Sequence, residues 1–253
     1  MPKVPLHDIV RHCDRTLRTS VVNDYEGARN GLQVENRGTV TRVAAAVDAS
    51  LATLRLAIAA RADLLIVHHG LFWSPRQPWT GRNFEIMRLL LENNLAVYSS
   101  HLPLDLHPRL GNNVQLARAL GLRQFKPFFF DREQHLGVLA SAAAPLKELK
   151  KRLQLVVGTE PTVLASGPAV CRRIGIVTGG AGGELKRAAA EGADTFITGE
   201  GPHWTFALAQ ELGVNVLYGG HYATETFGVK ALAGELSGKF GLPWEFVDDP
   251  SGL

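Results

Sequence analysis

Short runs of consecutive apolar residues alternate along this chain with longer stretches in which apolar residues recur every three or four positions. "RVAAAVDAS" (42–50), "DLLIVHH" (63–69) and "LAVYSS" (95–100) have the length and composition of buried strands. "LATLRLAIAARA", "NFEIMRLLLENN" and "NNVQLARALGL" carry the helical period, the last closing at Gly121. The alternation resumes with "RRIGIVTGG", "ELKRAAAEGA", "DTFITGE", "WTFALAQELG", "VNVLYGGH" and "TETFGVKALAGEL". Apolar strands separated by amphipathic helices predict an α/β protein with mostly parallel sheets.

The two halves of the pattern match each other. An offset of 131 carries Arg42 onto Arg173, Asp63 onto Asp194, His69 onto Glu200, Gly70 onto Gly201 and Trp73 onto Trp204. An offset of 120 carries Tyr98 onto Tyr218, His101 onto His221 and Asp105 onto Glu225. Two offsets imply one gap between matching blocks, as loop-length drift produces in an internal duplication. Between them, Pro145 and Gly158 bracket a helix inside a strand, helix, strand segment. A boundary near Lys126 divides the chain into halves 1–125 and 126–253, with the C-terminal segment able to pack on the first half.

Composition narrows the classes. At 253 residues, 45% hydrophobic and 20% charged, the chain can bury a substantial core. The net charge of +3 is spread out, and the densest basic cluster, "KELKKRL", reads as a solvated helix face rather than a nucleic-acid patch. Two distant cysteines, Cys13 and Cys171, argue against a disulfide scaffold or thiolate zinc and for a reducing compartment. Neither a signal-peptide core nor a membrane-length apolar run is present, so a soluble cytoplasmic protein is expected.

Three polar clusters stand where strands end: His68-His69-Gly70, then "SSHLPLD" with His101 and Asp105, then "GGHYATE" with His221 and Glu225. In α/β sheets, ligands bind beyond the carboxyl ends of strands. The last two clusters share the form His-x-x-x-carboxylate, which lies on one face of a helix. That geometry is expected for "HYATE", whereas Pro103 suggests an irregular turn in "HLPLD". Imidazole and carboxylate suit zinc, manganese, iron or nickel. Strand alternation points adjacent histidines in different directions, which favours one ion for each over a shared ion, with a carboxylate bridging a two-metal site.

On the stretches "NGLQVEN", "IVHHGLFW", "SSHLPLDLHPRLGNN", "DTFITGE" and "GGHYATETFGVKAL" the sequence resembles the Nif-three-like family, whose members are often labelled GTP cyclohydrolase I type 2 homologues. The resemblance spans about Asn30 to Leu232. It implies two similar, interlocked α/β halves, a dinuclear metal centre and a ring-shaped homohexamer, in the short form without an inserted domain. Carried over by position, the metal ligands are His68, His69, Asp105, His221 and Glu225, with Glu225, alone or with Asp105, bridging. His101 is a further ligand, a supporting group or a proton shuttle. The chain departs from many members in reading "DYEGARNGLQV" before this motif and Glu35-Asn36 after it.

Other features are weighed against plainer readings. "TGGAGGEL" lacks the lysine and hydroxyl of a P-loop and reads as a tight turn facing a crowded site. Glu200 either joins the site or caps a helix near Pro202. Phe72, Trp73 and Trp79 either stack on a flat ring or plug a subunit interface. His7, His12, His107 and His135 have no convergent partners in sequence. Two functions follow. One is a metal-dependent hydrolase acting on a nucleotide-like or other small cyclic substrate, with Glu225, His101 or Glu200 moving protons. The other is a non-catalytic metal-containing oligomeric scaffold, chaperone or regulator.

Overall fold

The computed structural model describes residues 2–73 and 78–253. Two compact units emerge: Met1–His107 with Gly228–Asp249, and Pro108–Phe227 with Pro250–Leu253. The chain runs through β1 (Val4–Pro5), α1 (Leu6–Leu17), β2 (Gly31–Val34), β3 (Thr39–Val40), β4 (Val43–Asp48), α2 (Leu51–Ala59), β5 (Leu64–His69), α3 (Gly81–Glu92), β6 (Ala96–Ser99) and α4 (Leu102–Asp105). It continues through α5 (Asn112–Ala119), β7 (Phe125–Asp131), β8 (Gln134–Pro145), α6 (Leu146–Val157), β9 (Thr162–Leu164) and β10 (Val170–Ile176). Then come α7 (Leu185–Ala190), β11 (Thr195–Thr198), α8 (Thr205–Leu212), β12 (Asn215–Tyr218), α9 (His221–Phe240) and β13 (Trp244–Phe246).

The first unit holds a five-stranded sheet in the order β13-β4-β5-β6-β2, parallel except where β2 joins β6. The first five residues of β4 and of β5 are buried, so these strands read as unbroken apolar runs: a parallel strand covered on both faces has no polar side. Ala44, Ala46, Leu65 and Val67 pack with Leu54 and Ala57 of α2 and Leu90 of α3. Ser50 fixes the start of α2 through a reciprocal capping box with Thr53.

The second unit holds a six-stranded sheet in the order β7-β8-β10-β11-β12-β9. Its parallel part is the trio β10-β11-β12, flanked by antiparallel strands on both sides. The α/β class therefore holds, while the sheet of the second unit is mixed. The segment after residue 124 is a hairpin, β7-β8, followed by a helix and a short strand, so one more strand is present than the apolar runs indicate. Its two-residue turn is Arg132-Glu133, both with positive φ (48° and 63°), in place of the Asn-Gly or Asp-Gly pairs that mark such turns. Helix α6 is bracketed as expected, by Pro145 at its start and Gly158 in the left-handed region at its end.

The matching blocks fold alike. In each unit three parallel strands follow in chain order, with an antiparallel strand outside the third. Asp63 accepts hydrogen bonds from the backbone N–H groups of Thr41 and Arg42 and from Thr41 Oγ1. At the matching place Asp194 accepts from the N–H groups of Arg172 and Arg173. Each aspartate clasps the chain just before or within the first core strand, and its own carbonyl receives the N–H of Ala96 or Asn215 at the third. No helix among the described residues is long and apolar enough to cross a membrane.

Candidate metal centre

In the first unit, β5 delivers His68 and His69 at its carboxyl end, and neighbouring β6 leads through Ser100 to His101. The nitrogen donor atoms of His68, His69 and His101 all lie within 4.8 Å of one another. Strand alternation was expected to turn His68 and His69 apart, yet their ring centroids are 4.8 Å apart. The strand ends here, and His69 is drawn in by Asp48 on adjacent β4, its register partner. Asp105 adds a carboxylate oxygen 3.5 Å from His68 Nε2.

Asp105 arrives by a helical turn rather than an irregular one. His101 stands just before the first residue of α4, and Asp105 N–H donates to the His101 carbonyl at 3.1 Å. Pro103 sits in the first turn, where a missing N–H leaves no helical bond unmade. The proline therefore fits the helix it was expected to disrupt.

Each ring is oriented through Nδ1. His68 Nδ1 meets the Ser100 carbonyl at 3.0 Å, His69 Nδ1 meets Asp48 Oδ1 at 2.8 Å, and His101 Nδ1 meets Asp24 Oδ1 at 2.8 Å. Carbonyl and carboxylate oxygens only accept, so Nδ1 carries a hydrogen, and in the neutral ring the lone pair is then at Nε2. This is the arrangement that fixes the tautomer of metal-ligating histidines. Asp24 is nearly buried and also accepts from the N–H groups of Tyr25 and Leu102 and from Asn30 Nδ2. Burial works to raise its pKa, but these donors, His101 foremost, outweigh it and hold the carboxyl below its ordinary range.

The "NGLQ" motif braces this cluster. Asn30 Oδ1 accepts from His101 N–H at 2.7 Å while its amide holds Asp24. Gln33 accepts from Leu71 N–H at 2.7 Å and donates to the Arg29 carbonyl at 3.0 Å. Its amide lies so close over Gly70 that a Cβ there would overlap it. A side chain at position 70 would therefore displace the Gln33 amide from its bonds to Leu71 and Arg29.

The second unit carries its own cluster. His221 opens α9, and Glu225, one turn on and buried, places Oε2 3.2 Å from His221 Nε2. On the other side of the ring, Nδ1 meets Glu200 Oε1 at 2.7 Å. Burial disfavours a charged His221, but its bonds to Glu225 and Glu200 and their charges prevail and raise its pKa to about 9. Glu200 does not cap α8, whose start at Trp204 has no side-chain cap. The glycine-rich stretch is a tight turn against this cluster: Gly179 has φ +72°, and a Cβ on it would collide with Glu225 Oε1.

The structure therefore gathers His68, His69, His101 and Asp105 in one unit, and His221, Glu225 and Glu200 in the other. The donor set is imidazole and carboxylate throughout, with the first-unit rings anchored at Nδ1 and glycine where a side chain would intrude. These residues fit a divalent transition metal. Asp24 and Asp48 were not identified from sequence. Asp48 was within reach of inspection, since it ends the strand adjacent to the one that ends in His69.

Comparisons with known proteins agree on one kinship. The family model described as Duf34/NIF3 (NGG1p interacting factor 3) matches residues 4–250. A protein of Deinococcus radiodurans named "GTP cyclohydrolase 1 type 2 homolog" is 40% identical over 248 residues, 97% of this chain and 94% of that one. A Pseudomonas aeruginosa protein of the same name is 38% identical over 98% of both chains. The crystal structure of the Thermus thermophilus protein TTHA1606 is 40% identical and superposes with a TM-score of 0.91, covering 99% of this chain and 100% of that one.

Proposed function

Because the chain belongs to the Duf34/NIF3 (NGG1p interacting factor 3) family, we propose that it is a metal-dependent hydrolase of a nucleotide-like or other small cyclic substrate. The proposed ligands of two divalent ions, drawn from zinc, iron, manganese or nickel, are His68, His69, Asp105, His221 and Glu225. The observation that carries this reading is that His68, His69, His101 and His221 are each tethered at Nδ1 to an oxygen acceptor. Such tethering orients Nε2 for a metal and matches the carboxylate–histidine pairing found behind metal ligands. The name borne by the relatives supports ring-opening hydrolysis as the reaction class.

When bound, such ions supply Lewis acidity toward water and substrate. The residues of the chain do the rest. His101, with Nδ1–H held by Asp24, accepts or returns a proton at Nε2, and Asp24 stabilises the imidazolium that results. Glu225 would hold an ion through one carboxylate oxygen and leave the other for proton transfer. Glu200 acts through His221, whose ring it fixes. The active form is a cytoplasmic homo-oligomer, a hexamer by family resemblance, acting on a small molecule.

The test is turnover by purified, metal-reconstituted protein against nucleotides, phosphoesters and cyclic amides. Hydrolysis of at least one class, abolished in His69→Ala and Glu225→Ala, is the expected result. A fully metal-loaded protein that turns over nothing in the panel rejects the hydrolase and favours a scaffold.

A further inference from the structure

A cavity of about 930 Å3 opens in the first unit beside the histidine cluster, a volume at the upper end for small-molecule sites. Trp73 belongs to both. It lines the cavity, and its ring stands nearly perpendicular to His101 (centroids 4.8 Å, 86°) and to His69 (5.5 Å, 80°). The indole is fixed in place. Tyr25 lies 6.5 Å away, and Gly27 packs so closely that a Cβ there would come within 3.1 Å of the Trp73 carbonyl and 3.4 Å of its ring. Trp73 nonetheless remains 37% exposed, so a rigid aromatic surface is offered to a ligand. Phe72 and Trp79 add further aromatic lining, and Leu71, Ile86 and Met87 make the surroundings apolar.

Arg29 supplies the one cationic group lining the cavity among the described residues. Its backbone is held in the left-handed region (φ 42°), and its carbonyl is bound by Gln33, the side chain that also grips Leu71 just beyond the histidine pair. The guanidinium is more than half exposed, and its contact with Glu26 is a loose 3.8 Å ion pair. Glu26 lines the cavity as well and is almost wholly exposed, so an anion that binds there exchanges with a solvated carboxylate at the guanidinium.

We propose that this cavity seats a planar heteroaromatic ring bearing an anionic group, with the ring against Trp73 and the anion at Arg29. A flat ring gains from stacking on an indole, and this indole is itself in contact with the rings of His69 and His101. The proposal rests on the hydrolase reading for what happens to that ring, and not for its binding.

Adenosine 5′-monophosphate tests it, with adenosine and ribose 5-phosphate as probes of each half. Calorimetry on the full-length protein, metal-loaded and chelated, should show the monophosphate binding at least about tenfold more tightly than either half. Trp73→Leu should weaken the monophosphate and adenosine about tenfold, and Trp73→Phe should restore most of the loss. Arg29→Gln should weaken the monophosphate alone. Metal content and oligomer size should stay at wild-type values in all three variants. Equal binding of monophosphate and ribose 5-phosphate, binding indifferent to Trp73→Leu, or a change of oligomer size in that variant would overturn the proposal. A metal-free native protein that still binds the monophosphate through Trp73 would defeat the hydrolase reading and leave this one standing.

Discussion

Asp48 and Asp24 do for His69 and His101 what a backbone carbonyl does for His68: each holds Nδ1 and so fixes the direction in which Nε2 points. Removing an orienting partner of this kind typically costs about 10–100-fold in metal affinity. Asp48→Asn and Asp24→Asn are therefore each expected to lower affinity within that range, measured by competition with a chelator of known strength, with the circular dichroism spectrum unchanged. Gly179→Ala is expected to be harsher. It forces a left-handed conformation on alanine, costing roughly 1 kcal/mol, and drives a methyl into Glu225. Both a lowered melting temperature and a loss of bound metal should follow; wild-type metal content in this variant would refute the role given to the turn. One of these residues shows what sequence could not convey. Asp24 lies 77 positions from His101 and is joined to it only by the fold. The histidines announced themselves by adjacency and by their matching carboxylates, whereas an isolated aspartate carries no such pattern.

Among the elements, the strands were legible because parallel strands buried on both faces must be apolar throughout, as β4 and β5 are. Flanking strands escaped that logic. The turn of the β7-β8 hairpin uses Arg132 and Glu133 where glycine or asparagine would have marked it. The short helix α4 was obscured by Pro103, which is harmless in a first turn. The duplication, by contrast, reaches down to single hydrogen bonds: Asp63 and Asp194 clasp the same point of their units. Asp63→Asn and Asp194→Asn should each destabilise their unit by about 2 kcal/mol, the worth of hydrogen bonds to a charged acceptor. Denaturant melts of the two variants check this, and a loss confined to one of them would show that the two clasps are not equivalent.

On the scale of the whole molecule, the two units repeat one parallel core but differ in what stands at the strand ends. The first half places Asp48 and His69 there, and the second places Gly179 and Glu200 at the same positions, with His221 and Glu225 as its candidate ligands. A metal bound by folded protein and not by the unfolded chain stabilises the fold by mass action. Chelation should lower the melting temperature and a divalent ion should restore it. Sequence located the ligand candidates, the repeat of the core and Glu200 beside them; it could not supply Asp24, the distant carboxylate that aims His101. The most direct measurement of the central claim is elemental analysis of protein purified without chelators. Two divalent ions per chain in the wild type, falling below one in His69→Ala and in Glu225→Ala, is the predicted result. Trace metal in the wild type, with none taken up on reconstitution, would contradict it.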